Sequence, residues 1–401
     1  MSTEKTSSTV LTPETAQPST STESNSPTRR TSNRRSFLKH SMIAGAAATV
    51  GAGVLSRGVP AFAQGSSSSS SLSKGDIAIL RFLAAAELIE SDLWTQYAEL
   101  GGIGKLQPIE VSPNEKLNPY QTALSNLDSD GPQYIASNTL DEISHAKFLN
   151  AYLMSKGADP VDLSGFANLP GSTANGSSGI GRLTNLMNLN VDTSWYVRYR
   201  SATNPDLGAA FPQAITLNGV TAIPRTNADY EGRPNPNFLG NDHIQAIANV
   251  AAFHFGAIEQ GGTTLYAAMS QKVTDLEVLQ ITLGIGGDEI AHFLEWVDFA
   301  GNGVQAPVAP FTSTNLDLTF PNFFSPLNKL IQPSLIFPVP CEFIDKSLPH
   351  CAVIRPTNPT GIAAGVVQFL TDMNLFQGQS SEFFNTLNQL ASAADAAQRG
   401  F

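Results

Sequence analysis

The feature that most constrains this chain is a duplicated motif, Asp141-Glu142-Ile143-Ser144-His145 and, far downstream, Asp288-Glu289-Ile290-Ala291-His292. On a helix, residues three apart project from the same face, so each Glu-x-x-His presents one carboxylate and one imidazole together. That is half of a metal site. Chance accounts poorly for two copies: six His and sixteen Glu in 401 residues give an expectation of roughly a quarter of one such motif.

Two half-sites form a centre for two iron or manganese ions in a four-helix bundle when a partner helix adds a glutamate to each. Suitable carboxylates stand upstream of both copies. Glu87 and Glu259 each lie on an apolar helical stretch and are each followed seven residues later by an aromatic, Trp94 and Tyr266. Glu90 precedes Tyr97 by the same interval, so the register of the first helix is ambiguous. Glu87 is the favoured ligand, with Glu90 beside the site. Trp94, Tyr97 and Tyr266, two turns along the same faces, are placed to seal the pocket or to donate an electron.

At these residues the chain resembles the ferritin-like superfamily, which includes bacterioferritins and rubrerythrins. It is most similar to exported ferritin-like domain proteins related to desiccation-associated proteins. Glu87-Leu88-Ile89-Glu90-Ser91-Asp92-Leu93-Trp94 resembles that group's first-helix signature, which usually ends in Tyr where this chain has Trp94. The resemblance covers about 75–156 and 241–300. It implies an all-α fold, a ferritin-like four-helix bundle, in which Glu142 and Glu289 bridge two iron or manganese ions. Glu87 and Glu259 would cap one ion each, and His145 and His292 would bind one each.

Residues 1–30 are Ser, Thr, Pro and Glu with few large apolar side chains, a composition that cannot bury enough surface to fold. Asn33-Arg34-Arg35-Ser36-Phe37-Leu38-Lys39, the weakly apolar run from Met42 to Leu55, and Ala61-Phe62-Ala63-Gln64 read together as a twin-arginine export signal with a small-residue cleavage site. The run is shorter than the roughly twenty residues that span a bilayer. The expectation is therefore a periplasmic or extracellular protein, passed folded through the twin-arginine machinery, with no membrane anchor in the mature chain. A Gly/Ser linker, 64–74, would precede the bundle, 75–300.

Composition bounds the partners. The chain carries a net charge of −11, and residues 1–63 contribute seven of the Lys/Arg and only three Asp/Glu. What remains is still more acidic, which argues against nucleic acid and anionic lipid.

Helices are expected over 76–101, 133–155, 242–269 and 274–299, with 102–132 as a long connection. His243 and His254 read as packing or surface histidines. Residues 157–240, rich in Gly, Asn, Pro, Ser and Thr, form an irregular insertion between the second and third helices. Within it, Trp195-Tyr196-Val197-Arg198-Tyr199-Arg200 is either a stacking patch or a pin to the bundle. Gly284, Gly286 and Gly287 mark either a close approach or a shortened helix. The C-terminal extension, 301–401, is Pro- and Phe-rich and then helical. Its Cys341 and Cys351, in an exported chain, suggest one disulfide. Three functions follow from these features: a dimetal oxidoreductase acting on oxygen, peroxide or ferrous iron; a stress- or desiccation-related structural or binding protein with a structural or vestigial site; and, weakest, a storage cage.

Overall fold

A computed structural model describes residues 71–103, 116–193, 216–303, 311–320, 338–339, 344–345, 347–352 and 358–399. The expected export signal, most of the linker and the Trp195–Arg200 patch lie outside the described residues. So does Cys341, and with it the expected bridge; Cys351 is exposed in a short strand.

The described residues are mostly helical, with seven α-helices: α1 (Lys74–Gly101), α2 (Pro119–Leu127), α3 (Gly131–Ser155), α4 (Asp242–Ser270), α5 (Leu276–Gly303), α6 (Ile362–Asp372) and α7 (Ser381–Ala396). None is long and apolar enough to cross a membrane. Three two-stranded antiparallel ribbons accompany them: β1 (Leu189–Val191) with β2 (Leu217–Val220), β3 (Phe311–Ser313) with β4 (Leu318–Phe320), and β5 (Pro338–Val339) with β6 (Cys351–Ala352).

Four long helices carry the core. Ser91 Oγ donates to Glu142 O at 3.0 Å and Thr139 Oγ1 to Trp94 O at 3.1 Å, so α1 and α3 run antiparallel. Ser270 Oγ meets Thr282 Oγ1 at 2.9 Å, and an added Cβ on Gly286 would come within 2.8 Å of Tyr266 Cβ, which sets α4 and α5 antiparallel too. Contacts from Tyr97 to His254 and from Asp76 to the amide of Thr274 make α1 antiparallel to α4. Hence α3 and α4 are parallel, and the chain must cross the full length of the bundle between them. The 157–240 segment makes that crossing.

Local chemistry sets the helix ends. Ser73 Oγ caps α1 by accepting from Asp76 N at 3.0 Å, while Asp76 accepts from the amides of Thr274 and Asp275 at 2.8 and 3.2 Å. One carboxylate thereby ties the start of α1 to the α4–α5 turn. Asn241 caps α4 through Ile244 N, and Asp275 accepts from Glu277 N at the start of α5. Almost every residue of α4 is buried, as expected for a helix covered on all sides.

Two expectations are corrected and one open alternative is decided. The connection 102–132 contains α2, whose Tyr120, Ala123, Leu124 and Leu127 are buried. Its start is specified by Pro119 and by a reciprocal cap between Asn118 and Gln121. The glycines of α5 do not shorten it: the helix runs through them, and Gly286 is the one pressed against Tyr266. The insertion is not wholly irregular, since it contains β1–β2 and is anchored to α1. There Arg182 pairs with Glu99 at 2.5 Å, and Asp92 accepts from Thr184 N at 2.9 Å and from Thr184 Oγ1 at 2.6 Å. α7 packs on α1 and α6, and Asp395 near its end accepts from the amides of Ala363 and Ala364 at the start of α6.

Candidate metal centre

The four long helices bring six side chains to one place in the core. Glu87 comes from α1, Glu142 and His145 from α3, Glu259 from α4, and Glu289 and His292 from α5, and all six are buried. His145 Nδ1 lies 3.4 Å from Glu87 Oε2, 3.4 Å from Glu142 Oε2 and 3.8 Å from Glu289 Oε1. His292 Nδ1 lies 3.0 Å from Glu142 Oε1 and 3.4 Å from Glu259 Oε2. The six thus fall into two fully buried groups able to hold a metal ion, Glu87/Glu142/His145/Glu289 and Glu142/Glu259/His292, and His292 joins a third, half-buried group with Asp141 and Asp288. Glu142 belongs to both buried groups, with one oxygen turned to each.

These donors are not spent on hydrogen bonds. Glu87 Oε2, both carboxylate oxygens of Glu142, Glu259 and Glu289, and Nδ1 of both histidines are buried without a hydrogen-bond partner. Each such atom normally costs about 1–3 kcal/mol when left unpaired. A cation placed among them satisfies them all at once, which is the fit the donor set offers. Space is provided by backbone: a Cβ on Gly262 of α4 would overlap the Glu289 carboxylate.

Two residues of the site escaped the sequence reading. Asp288 Oδ2 lies 3.2 Å from Nε2 of His145, and Asp141 Oδ2 lies 3.4 Å from Nε2 of His292. Each aspartate therefore serves the histidine of the other helix, fixing the ring that turns Nδ1 inward. The aspartates are 46% and 42% exposed for Asp141 and Asp288, so the α3–α5 edge is where the centre meets solvent. The signal was present as an Asp before each Glu, but its partner lies across the bundle.

The other candidates are placed as follows. Tyr266 Oη donates to Glu87 Oε1. Glu90 is half-buried on a cavity of about 10 Å³ between α1, α4 and α6, and belongs to none of these groups. Trp94 stacks on Phe255 at 4.9 Å and lies 5.4 Å from Trp296, forming an aromatic layer with Tyr97. His243 bonds Asp229 at 2.8 Å and His254 bonds Tyr97 at 2.7 Å, both buried.

The electrostatics reflect a crowd of carboxylates out of water. Burial pushes Glu87 and Glu259 up to about 7, against the pull of His145 and His292 respectively. Burial and the neighbouring glutamates push Glu289 well above the usual range. Burial acts on Glu142 in the same direction, but His145 and His292 outweigh it and hold this carboxyl down at about 2. Burial alone would lower His145; Asp288, Glu142 and Glu87 instead raise it to about 12. Without an ion, the centre keeps protons on its histidines and on several glutamates, and an ion entering must displace them.

No protein-family model, curated protein or solved structure matches this chain.

Proposed function

We propose that this is an exported protein of ferritin-like type that binds two iron or manganese ions and acts in redox chemistry with oxygen, peroxide or ferrous iron. The observation that carries the reading is the set of unpaired buried donor atoms converging from four helices. Glu87, Glu142, His145 and Glu289 would hold one ion, and Glu142, Glu259 and His292 the other. Four carboxylates balance two divalent ions, so the loaded core is neutral and tolerates burial. Hard oxygen donors with two imidazoles suit iron or manganese.

Bound there, the ions supply Lewis acidity and one-electron redox capacity. The chain's own residues supply the rest. Asp288 and Asp141 orient the imidazoles, Tyr266 holds Glu87, and the layer of Trp94, Phe255 and Trp296 closes the inner side against water. The half-exposed aspartates put negative charge where a cation approaches. The Arg34-Arg35 signal and the cleavage site near Gln64 support export to the periplasm or beyond.

The test is to load the protein anaerobically with ferrous iron, admit oxygen or peroxide, and follow near-ultraviolet absorbance beside Glu259→Ala. The wild type should oxidise iron faster than the variant and faster than iron in buffer. Equal rates in all three would overturn the redox reading in favour of a structural or binding role.

A further inference from the structure

Beside the carboxylate centre, on its inner side, lies a buried pair that the proposed function leaves unused. Tyr97 Oη is 2.7 Å from His254 Nδ1, and both residues are fully buried. Burial pushes the Tyr97 phenol well up and brings the His254 imidazole down to about 3. At neutral pH both groups are therefore uncharged, and we assign the tautomer with its proton on Nε2, in which Nδ1 accepts from the buried phenol O–H. That Nε2 has no partner. An apolar residue in place of His254 alone would leave the buried Tyr97 hydroxyl unpaired, whereas two apolar residues would fill the space with no polar atom at all, so packing alone does not account for the pair.

A cluster of aromatic rings lies between the pair and the candidate ligands along the helices. Trp94 lies 5.9 Å from Tyr97 and 5.4 Å from Trp296, and it stacks on Phe255 with only 2° between the planes. Trp296 follows His292 by one helical turn, and Phe255 precedes Glu259 by one, about 6 Å along each axis. One aromatic layer thus separates the ligands from Tyr97.

We propose that Tyr97 and His254 form a one-electron redox site, in which Tyr97 is oxidised to a neutral phenoxyl radical through Trp94 while its proton passes to His254. The Tyr97 O–H bond breaks, the proton binds Nδ1, and the imidazole becomes an imidazolium. One electron goes to a high-potential oxidant. On the proposed function, on which this source of oxidant rests, ions held by Glu87, Glu142, His145, Glu259, Glu289 and His292 would supply the oxidising equivalent with peroxide as co-reactant and would take up that electron. Once oxidised, the phenol is a far stronger acid than an imidazolium, so the proton crosses the 2.7 Å hydrogen bond to His254 even though burial disfavours the charged ring, and it returns on reduction.

The experiment uses two arms. In the metal-free full chain, flash-generated ruthenium(III) tris-bipyridine is the oxidant, and the readout is electron paramagnetic resonance with phenoxyl absorbance. Wild type should hold a radical that outlives those of exposed tyrosines. Tyr97→Phe, melting like wild type, should lose it, and His254→Gln should lose most of it. In the second arm, ferrous-loaded protein is mixed with peroxide and freeze-quenched, and the same spectrum should appear. If Tyr97→Phe and wild type give the same spectrum and decay in both arms, the proposal is overturned, even if iron is oxidised at the centre. Undiminished radical in His254→Gln overturns the proton-accepting role. A Tyr97 radical in the metal-free arm with no iron oxidation in the other supports the pair and removes the dimetal redox reading.

Discussion

Asp288 holds its carboxylate 3.2 Å from Nε2 of His145, the nitrogen opposite the one that faces the buried glutamates. The contact joins α5 to α3 and sets both the orientation and the tautomer of the ring. Loss of such a partner typically costs 10–100-fold in metal affinity. Asp288→Asn should weaken binding of manganese or iron by roughly that factor in a chelator competition. Helix content should not change, since the side chain is 42% exposed. Unaltered affinity would reduce Asp288 to a surface group.

Glycine substitutions separate a site-forming position from a permissive one. A Cβ on Gly262 meets the Glu289 carboxylate, whereas Gly287 has nothing within 4 Å. Gly262→Ala should destabilise the protein by about 1–3 kcal/mol through overpacking and displace a ligand, so bound metal should fall as well. Gly287→Ala should stabilise by up to about 1 kcal/mol by improving helix propensity. Thermal melts with elemental analysis of both variants check the contrast.

What the sequence made legible was whatever depends on helical spacing within one segment. Glu142 with His145, and Glu289 with His292, share a face because they are three apart, and the long apolar stretches around them define four helices. Glu87 was ambiguous with Glu90 because the two are three residues apart on α1, and only the tertiary contacts separate them: Glu87 faces His145, whereas Glu90 faces the cavity beside α4 and α6. The pairing of Asp141 with His292 and of Asp288 with His145 crosses between helices, so no single-segment pattern contains it. The same holds for His254, whose partner Tyr97 lies on another helix. α2 was overlooked for a different reason: at nine residues its apolar pattern is about two and a half turns, too short for periodicity to stand out, although its cap and Pro119 were readable.

Removal of the shared ligand should empty the centre. Protein matured with ample metal should carry about two transition-metal ions per chain, one for each buried donor group, and Glu142→Ala with His145→Ala should carry close to none by elemental analysis. Stability should reverse between the two states. Ion binding stabilises only a chain that retains the site, so the metal-loaded wild type should melt above the variant. Stripping metal leaves the wild type with crowded buried carboxylates, and its melting temperature should then drop while that of the variant does not move. An unchanged metal ratio in the variant would sink the ligand assignment.

His254 gives the fold a specific acid sensitivity. Burial holds its folded pKa at about 3, below the ordinary value of 6.5. Above pH 6.5 the ring is neutral in both folded and unfolded chains, and it costs nothing. As the pH falls through 6.5, the unfolded chain takes up a proton that the folded one refuses, so stability is lost progressively until about pH 3. By pH 4 the loss from this residue should be about 3 kcal/mol relative to pH 7. His254→Gln removes this contribution while leaving the carboxylate centre to titrate as before. Urea unfolding of the metal-free proteins at pH 7 and pH 4 should therefore show a smaller fall in stability for the variant than for wild type. The difference between the two falls isolates the titration from any constant loss caused by weakening the bond to Tyr97. Equal falls would mean that the folded protein accepts a proton at His254, and the neutral imidazole that receives the Tyr97 hydrogen bond would have to be abandoned.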